Sequence, residues 1–188
     1  MKIIGINGSP HLKSQTNRLL ELTLEQCKKE GSDIKLIHLS KVNLPFFHGK
    51  YKKQIPAKFK KFFQDITEAD GIVFASPVHW FNMSSLMKNL IDWMTILEID
   101  SFKLEGKAAS FIVVCEEDGG QQAIGSIMSP LAHMGFLFPP YCGLFYNKNV
   151  SAKSEHNWMD KEPKLLATNL VKLISKTNKL KWGYEDIL

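Results

Sequence analysis

Residues 8–17, Gly-Ser-Pro-His-Leu-Lys-Ser-Gln-Thr-Asn, gather hydroxyls, amides and cations in one short stretch. Ser9, Ser14, Gln15, Thr16 and Asn17 supply donors, and His11, Lys13 and Arg18 supply positive charge. The stretch follows an apolar β-type run and leads into a helical pattern near Thr16. A helix N-terminus presents unpaired N–H groups and a partial positive charge, so such a loop suits an anion. Gly8 permits the turn and Pro10 stiffens it. Spacing excludes two common phosphate loops: the chain has neither G-x-G-x-x-G nor G-x-x-x-x-G-K-[ST]. "EGKAAS" at 105–110 carries Gly-Lys without the Ser or Thr that must follow. On this loop alone, a plain Ser or Thr helix cap fits as well as an anion site.

A second stretch, "ASPVHWFNMSSLMKNLIDW" at 75–93, again runs from strand to loop to helix. Ser84 or Ser85 stands at a natural cap, and Trp80 and Phe81 offer apolar faces. A flat heteroaromatic ring can lie against such a segment while main-chain N–H groups read its polar edge.

The elements that must position these loops follow from periodicity. Short β-type runs fall at 2–7, 34–39, 71–76, 108–115 and 141–146. The first, third and fourth are almost continuously apolar, as in strands buried on both faces of a parallel sheet. Helical patterns fall between and after them, at 16–30, 56–68, 84–97, 120–134 and 162–178. Gly31 suits the end of the first, Pro56 and Pro163 suit first turns, and Pro130 is expected to kink or divide the fourth. The β-α alternation predicts an open parallel sheet with helices on both faces and right-handed crossovers. Ligands in such sheets bind outside the carboxyl ends of the strands, which selects the loops after the first, third and fourth runs.

The pair "GSPHLKSQTN" and "SPVHWFNMSSLMKNLIDW" resembles the flavodoxin-like NAD(P)H-dependent FMN reductase and quinone reductase superfamily. The resemblance extends over roughly residues 1–175 and implies a five-stranded sheet of order 2-1-3-4-5. It implies one FMN-binding domain over 1–178, with a tail at 179–188. Ser9, His11, Ser14, Gln15, Thr16 and Asn17 would hold the FMN phosphate. Pro77, Val78, His79, Trp80 and Phe81 would border the ribityl chain and the isoalloxazine ring. Glu117, Asp118, Gly119 and Gly120 match the third flavin loop, the glycines letting backbone approach the ring. The resemblance implies ping-pong hydride transfer from NADH or NADPH through FMN to a small acceptor such as a quinone, free flavin, azo or nitro compound. It implies a homodimer or tetramer built on the helix after the second loop.

The chain departs from the family at three points. His11 stands where arginine is common, and His79-Trp80 replaces the usual Tyr-x pair. Glu116, Glu117 and Asp118 stand where relatives carry small or hydroxyl residues. A carboxylate facing the flavin would disfavour the anionic reduced ring. No protein acid or base is required for hydride transfer, and His79 is the one candidate proton donor to a quinone-like acceptor. Some relatives carry an iron–sulfur cluster on a Cys-rich insertion after the second strand; here that region, "NLPFFHGKYKK", has no cysteine, so no cluster and no other metal is expected.

Composition narrows the class further. The chain has 188 residues, 44% hydrophobic and 23% charged, as in a single globular domain. Three dispersed cysteines, Cys27, Cys115 and Cys142, lack C-x-x-C spacing and predict neither disulfides nor a zinc ribbon; Cys115 reads as a buried small hydrophobe. No apolar run is long enough for a membrane span or a signal peptide, which predicts a cytoplasmic protein with no membrane partner. The net charge of +5 owes part to basic clusters at 50–61 and 176–181, read as solvated faces because no nucleic-acid motif accompanies them. Phe46, Phe47, Tyr51, Phe136, Phe138 and Tyr141 are divided between core and a pocket over the flavin. A competing function, a flavodoxin-type electron carrier or non-catalytic flavin-binding protein, is disfavoured by the basic charge.

Overall fold

The computed structural model describes residues 1–49, 55–99, 102–151 and 158–177, with backbone alone at 151 and 158–160. The tail at 179–188, Tyr51 and residues 50–54 of the 50–61 basic cluster lie outside the described residues. The strands are β1 (Lys2–Asn7), β2 (Asp33–His38), β3 (Gly71–His79), β4 (Asn82–Met83), β5 (Ala108–Cys115) and β6 (Gly143–Asn147). The helices are α1 (Gln15–Lys29), α2 (Leu39–Val42), α3 (Lys60–Glu68), α4 (Ser85–Ile99), α5 (Gly120–His133), α6 (Lys148–Ser151) and α7 (Trp158–Thr177). The sheet order is β2-β1-β3-β5-β6, all parallel, and β4 pairs antiparallel with β3. Leaving β4 aside, this is the 2-1-3-4-5 order expected.

Side chains alternate across the sheet with the period of two that strands impose. Ile4, Ile6, Ile72, Phe74, Phe111 and Val113 face a core shared with α3, α4 and α5. Ile3, Val73, Ala75, Ile112 and Val114 face the core under α1 and α7. This explains the near-continuous apolar runs: β1, β3 and β5 are covered on both faces, while β2 and β6 are half-exposed edges. Cys115 is 3% exposed, in keeping with a buried small hydrophobe.

Four departures from the sequence pattern stand out. β3 does not stop at Ser76; it continues to His79, turns through Trp80 and Phe81, and returns as β4. Both turn residues have positive φ, as a two-residue primed hairpin requires. α5 is one helix despite Pro130, which forfeits one bond to the Ser126 carbonyl and has only three helical residues after it. α7 begins at Trp158 and runs through Pro163, which forfeits one bond to the carbonyl a turn earlier. Pro56 precedes a 3-10 turn at Ala57–Phe59 rather than opening an α-helix directly.

The segment after β2 closes on α4. Trp93 is fully buried among Phe47, Phe59 and Phe63, with ring centroids at 5.6, 6.2 and 5.9 Å. Its indole N–H donates to the Pro45 carbonyl at 2.8 Å, which satisfies the one polar atom of the ring. Phe136 and Phe138 belong to the same core, so they are packing residues. The end of α3 is closed by Lys107, whose ammonium donates to the Thr67 and Ala69 carbonyls at 2.6 and 2.8 Å. Asp65 is buried, which raises a carboxyl, yet Lys35 and Lys61 hold it below its ordinary value.

Glu98, near the end of α4, has a carboxylate oxygen buried with no hydrogen-bond partner. Burial first, and Glu105 second, push its pKa up from 4.5 to about 7. The folded state therefore holds a proton that the unfolded chain releases, and stability falls as pH rises from 4.5 through 7. Glu98→Gln is expected to flatten this dependence and to stabilise the protein at pH 8 by about 1 kcal/mol, after discounting for solvent screening. Urea unfolding at pH 5 and pH 8 measures it; parallel pH profiles for the two proteins contradict it.

Candidate functional site

Three loops at the carboxyl ends of β1, β3 and β5 meet around one cleft of about 800 Å³, a volume suited to a cofactor. Ser9, His11, Ser14, Gln15 and Thr16 line one end, together with Lys13. Pro77, Val78, His79, Trp80 and Phe81 line the middle. Glu117 and Asp118 line the far end with Glu116, Val114 and Lys148. Of the residues expected at the site, Asn17, Gly119 and Gly120 stay out of the cleft wall.

Local chemistry shapes the first loop. Ser14 is the N-cap of α1 and accepts the Asn17 N–H at 3.1 Å. Ser9, 2% exposed, accepts the His11 N–H at 3.2 Å. Each hydroxyl thus serves the backbone as acceptor and keeps its own proton to donate. Capping and anion binding are therefore compatible uses of the same serines.

Asn7, at the end of β1 and fully buried, organises the loop from beneath. Its carbonyl oxygen accepts the Ser9 N–H at 2.8 Å, and its amide donates to Asn17 Oδ1 at 3.0 Å. The same amide lies 3.2 Å from His38 Nδ1. An amide nitrogen only donates, so Nδ1 accepts and the His38 ring proton sits on Nε2. Burial first, then Lys41, lower the His38 pKa, against a smaller opposing effect of Glu21. Asn17 also donates to Glu21 at 2.8 Å, so both ends of its amide are committed to the framework. These bonds make Asn17 part of the frame of the loop, outside the wall of the cleft.

Ser84 ties the first two loops together. Its hydroxyl donates to the Gly8 carbonyl at 2.7 Å and accepts the Met87 N–H at 3.2 Å. The Gly8 N–H donates to the Ala75 carbonyl at 2.7 Å. A Cβ on Gly8 would lie 3.1 Å from both Ser84 Oγ and Met87 Cε, a tight fit that a larger residue would relieve only by shifting these neighbours by a few tenths of an ångström.

The hairpin of the second loop leaves Trp80 94% exposed and Phe81 52% exposed. Holding two aromatic residues at positive φ costs on the order of 1–3 kcal/mol each. The turn is secured by α5: Ser126 donates to Asn82 at 2.9 Å. Gly119, at φ +89, presses on Phe81, where a Cβ would come within 2.8 Å of Phe81 Cα. A Cβ on Gly120 would meet Phe145 at 2.9 Å. Both glycines therefore serve protein packing, against Phe81 and Phe145.

In the third loop, Glu116 pairs with Lys148 at 2.6 Å, which draws its pKa down. Asp118 accepts the Gly119 N–H at 2.7 Å just before α5, whose N-cap position is Gly119. Asn7, Ser84 and Lys148 were not legible as site residues, whereas Glu116 was, as part of the acidic third loop. Asn7 had only its place at the end of a β-type run as a signal, and Lys148 had none. None of Phe46, Phe47, Phe136, Phe138 and Tyr141 lines the cleft.

The donor set suits the flavin mononucleotide that the motifs imply. Buried hydroxyls and cations stand at one end, an apolar and aromatic wall runs along the middle, and polar groups stand at the far end. Among the described residues no cluster of His, Cys, Asp or Glu could hold a metal ion.

Comparison with known proteins agrees with this arrangement. An iron–sulfur flavoprotein of Archaeoglobus fulgidus is 29% identical over 147 residues, covering 70% of this chain and 73% of the relative. A FMN reductase (NADPH) of Escherichia coli is 30% identical over 92 residues, covering 49% of this chain and 47% of the relative. A NAD(P)H:quinone oxidoreductase of Solanum tuberosum is 31% identical over 99 residues, covering 50% and 49%. In structure, RosB with bound 8-demethyl-8-formylriboflavin-5′-phosphate superposes with a TM-score of 0.84 at 16% identity, covering 100% of this chain and 84% of that one. The family described as NADPH-dependent FMN reductase matches residues 1–149, the stretch that holds all three loops, and the chain belongs to that family.

Proposed function

We propose that the protein is an FMN-dependent NAD(P)H oxidoreductase that reduces a small acceptor. The observation that carries this reading is the convergence of residues 9–16, 77–81 and 116–118 on one cleft. When bound, FMN supplies the redox chemistry, taking hydride from NADH or NADPH and reducing an acceptor such as a quinone, free flavin, azo or nitro compound.

The chain's own groups bind and orient. Ser9, Ser14 and Thr16, with His11 and Lys13, neutralise and fix the phosphate end. Pro77 to Phe81 form the apolar wall for the ring, and Trp80 supplies an open aromatic face on which a nicotinamide or acceptor stacks. Coenzyme and acceptor use the same cleft in turn, which gives ping-pong kinetics. His79, exposed in the wall, passes a proton to a quinone-like acceptor.

The iron–sulfur flavoproteins among the relatives raise the question of a cluster. We read this chain as lacking one: no cysteine lies in residues 43–53, and Cys27 and Cys115 are buried on separate elements. No helix among the described residues is long and apolar enough to cross a membrane, in keeping with a cytoplasmic location. The assembly is a homodimer or tetramer formed through α4.

The purified protein, reconstituted with FMN, is expected to show a flavin spectrum that bleaches under anaerobic NAD(P)H and recovers with quinone. Bound flavin that NAD(P)H alone leaves oxidised would indicate an electron carrier. Protein that stays colourless and gains no thermal stability from FMN would overturn the assignment.

A further inference from the structure

A second cleft, of about 580 Å³, lies on the other side of the first loop. Lys13, Ser14 and Gln15 line both clefts, so the two share a wall. The second is also lined by Arg18, Glu21, His38 and Lys41. None of these four groups lines the flavin cleft, although His38 and Glu21 brace its first loop through Asn7 and Asn17.

Their chemistry is that of an anion receptor. Lys13, Arg18 and Lys41 make no ion pair among the described residues. The single carboxylate in the wall, Glu21, accepts the Asn17 amide at 2.8 Å. Arg18 is the chain's one arginine among 24 Lys and Arg residues, and its planar fork matches two phosphate oxygens at once. His38 has its Nδ1 occupied by the Asn7 amide at 3.2 Å, which leaves Nε2–H as the remaining ring donor. Arg18 and Lys41, with Lys13 in the wall shared with the flavin site, outnumber the one engaged carboxylate and favour a dianion over a singly charged carboxylate.

We propose that this second cleft binds a phosphate monoester, separately from the loop assigned to the flavin phosphate. Two sources carry that chemistry: the 2′-phosphate of NADPH, and a free phosphate ester. The coenzyme source rests on the oxidoreductase reading above; the binding site itself does not.

The test uses wild-type protein and the double variant Arg18→Gln/Lys41→Gln, both reconstituted with FMN and then freed of unbound FMN by gel filtration, so that the first cleft is filled and no free ester competes for the second. Adenosine 2′-monophosphate and adenosine are titrated by calorimetry at fixed ionic strength. The wild type is expected to bind the phosphate ester at least tenfold more tightly than adenosine, and the double variant is expected to lose that difference. A rise of about tenfold in the KM for NADPH in the variant, with the KM for NADH unchanged, assigns the site to the coenzyme. Loss of adenosine 2′-monophosphate binding with both KM values unchanged assigns it to a free phosphate ester. Equal binding of ester and adenosine by the wild type, or equal ester binding by both proteins, overturns the proposal. Failure of the flavin assignment shows separately, as absence of a flavin spectrum.

Discussion

Asn7→Ala is expected to cost about 3 kcal/mol of stability and to weaken FMN binding by about tenfold or more. Asn7 is 0% exposed and serves three partners: the Ser9 N–H at 2.8 Å, Asn17 Oδ1 at 3.0 Å and His38 Nδ1 at 3.2 Å. Alanine leaves these groups without their partner in a site closed to bulk water. Each buried group left unsatisfied costs roughly 1–3 kcal/mol, and partial relaxation keeps the sum below the simple total. In a chain of this size the loss lowers Tm by about 10 °C. The effect on flavin is separate from stability, because the Ser9 N–H and the Asn17 side chain set the shape of the phosphate loop. Thermal unfolding without FMN, and fluorescence titration with FMN below the new Tm, measure the two effects independently. Lower stability with FMN affinity within twofold of wild type would show that Asn7 only supports the core.

Gly119→Ala is expected to destabilise by about 2–3 kcal/mol and to disturb the hairpin that carries Trp80. Gly119 has φ +89, where an L-residue pays about 1–2 kcal/mol. Its new Cβ would also stand 2.8 Å from Phe81 Cα and 3.1 Å from Val78 Cγ1. The closest neighbour is backbone, so it yields only if the turn at Trp80 and Phe81 moves. That turn is already strained by two positive φ values, 49 and 63. FMN affinity should therefore fall along with Tm. Gly125 provides the control: it lies within α5, and a Cβ there meets nothing within 4 Å. Gly125→Ala should stabilise by about 0.5–1 kcal/mol, as an interior helix glycine does. Equal Tm for the two variants would remove the close approach to Phe81 as the cause.

What could be read from the residues alone depended on how local the determining interaction was. β1, β3 and β5 were legible because burial on both faces demands apolar runs whatever the helices above them. Pairing "GSPHLKSQTN" with "SPVHWFNMSS" located the two loops, because hydroxyls before a helix announce a cap or an anion in either case. The extension of β3 through His79 was hidden: the primed turn favours Asn-Gly, and Trp-Phe carries no such signal. The role of Gly119 was likewise hidden, since its contact partner, Phe81, stands far away along the chain.

The sequence by itself determined the sheet, its helices and the residue types of the cleft, because these rest on periodicity and on short-range capping. Which polar groups hold the frame and which line the cleft depends on the folded arrangement. Asn17 and Ser9 look alike as donors, yet Asn17 spends its amide on Asn7 and Glu21 while Ser9 keeps its hydroxyl proton at the cleft. Arg18 stands in the same loop as Ser14 in sequence, but the turn of α1 carries it to the second cleft beside His38 and Lys41. A side chain's hydrogen-bonding partners lie across strands and loops, and those distances exist only once the chain has folded.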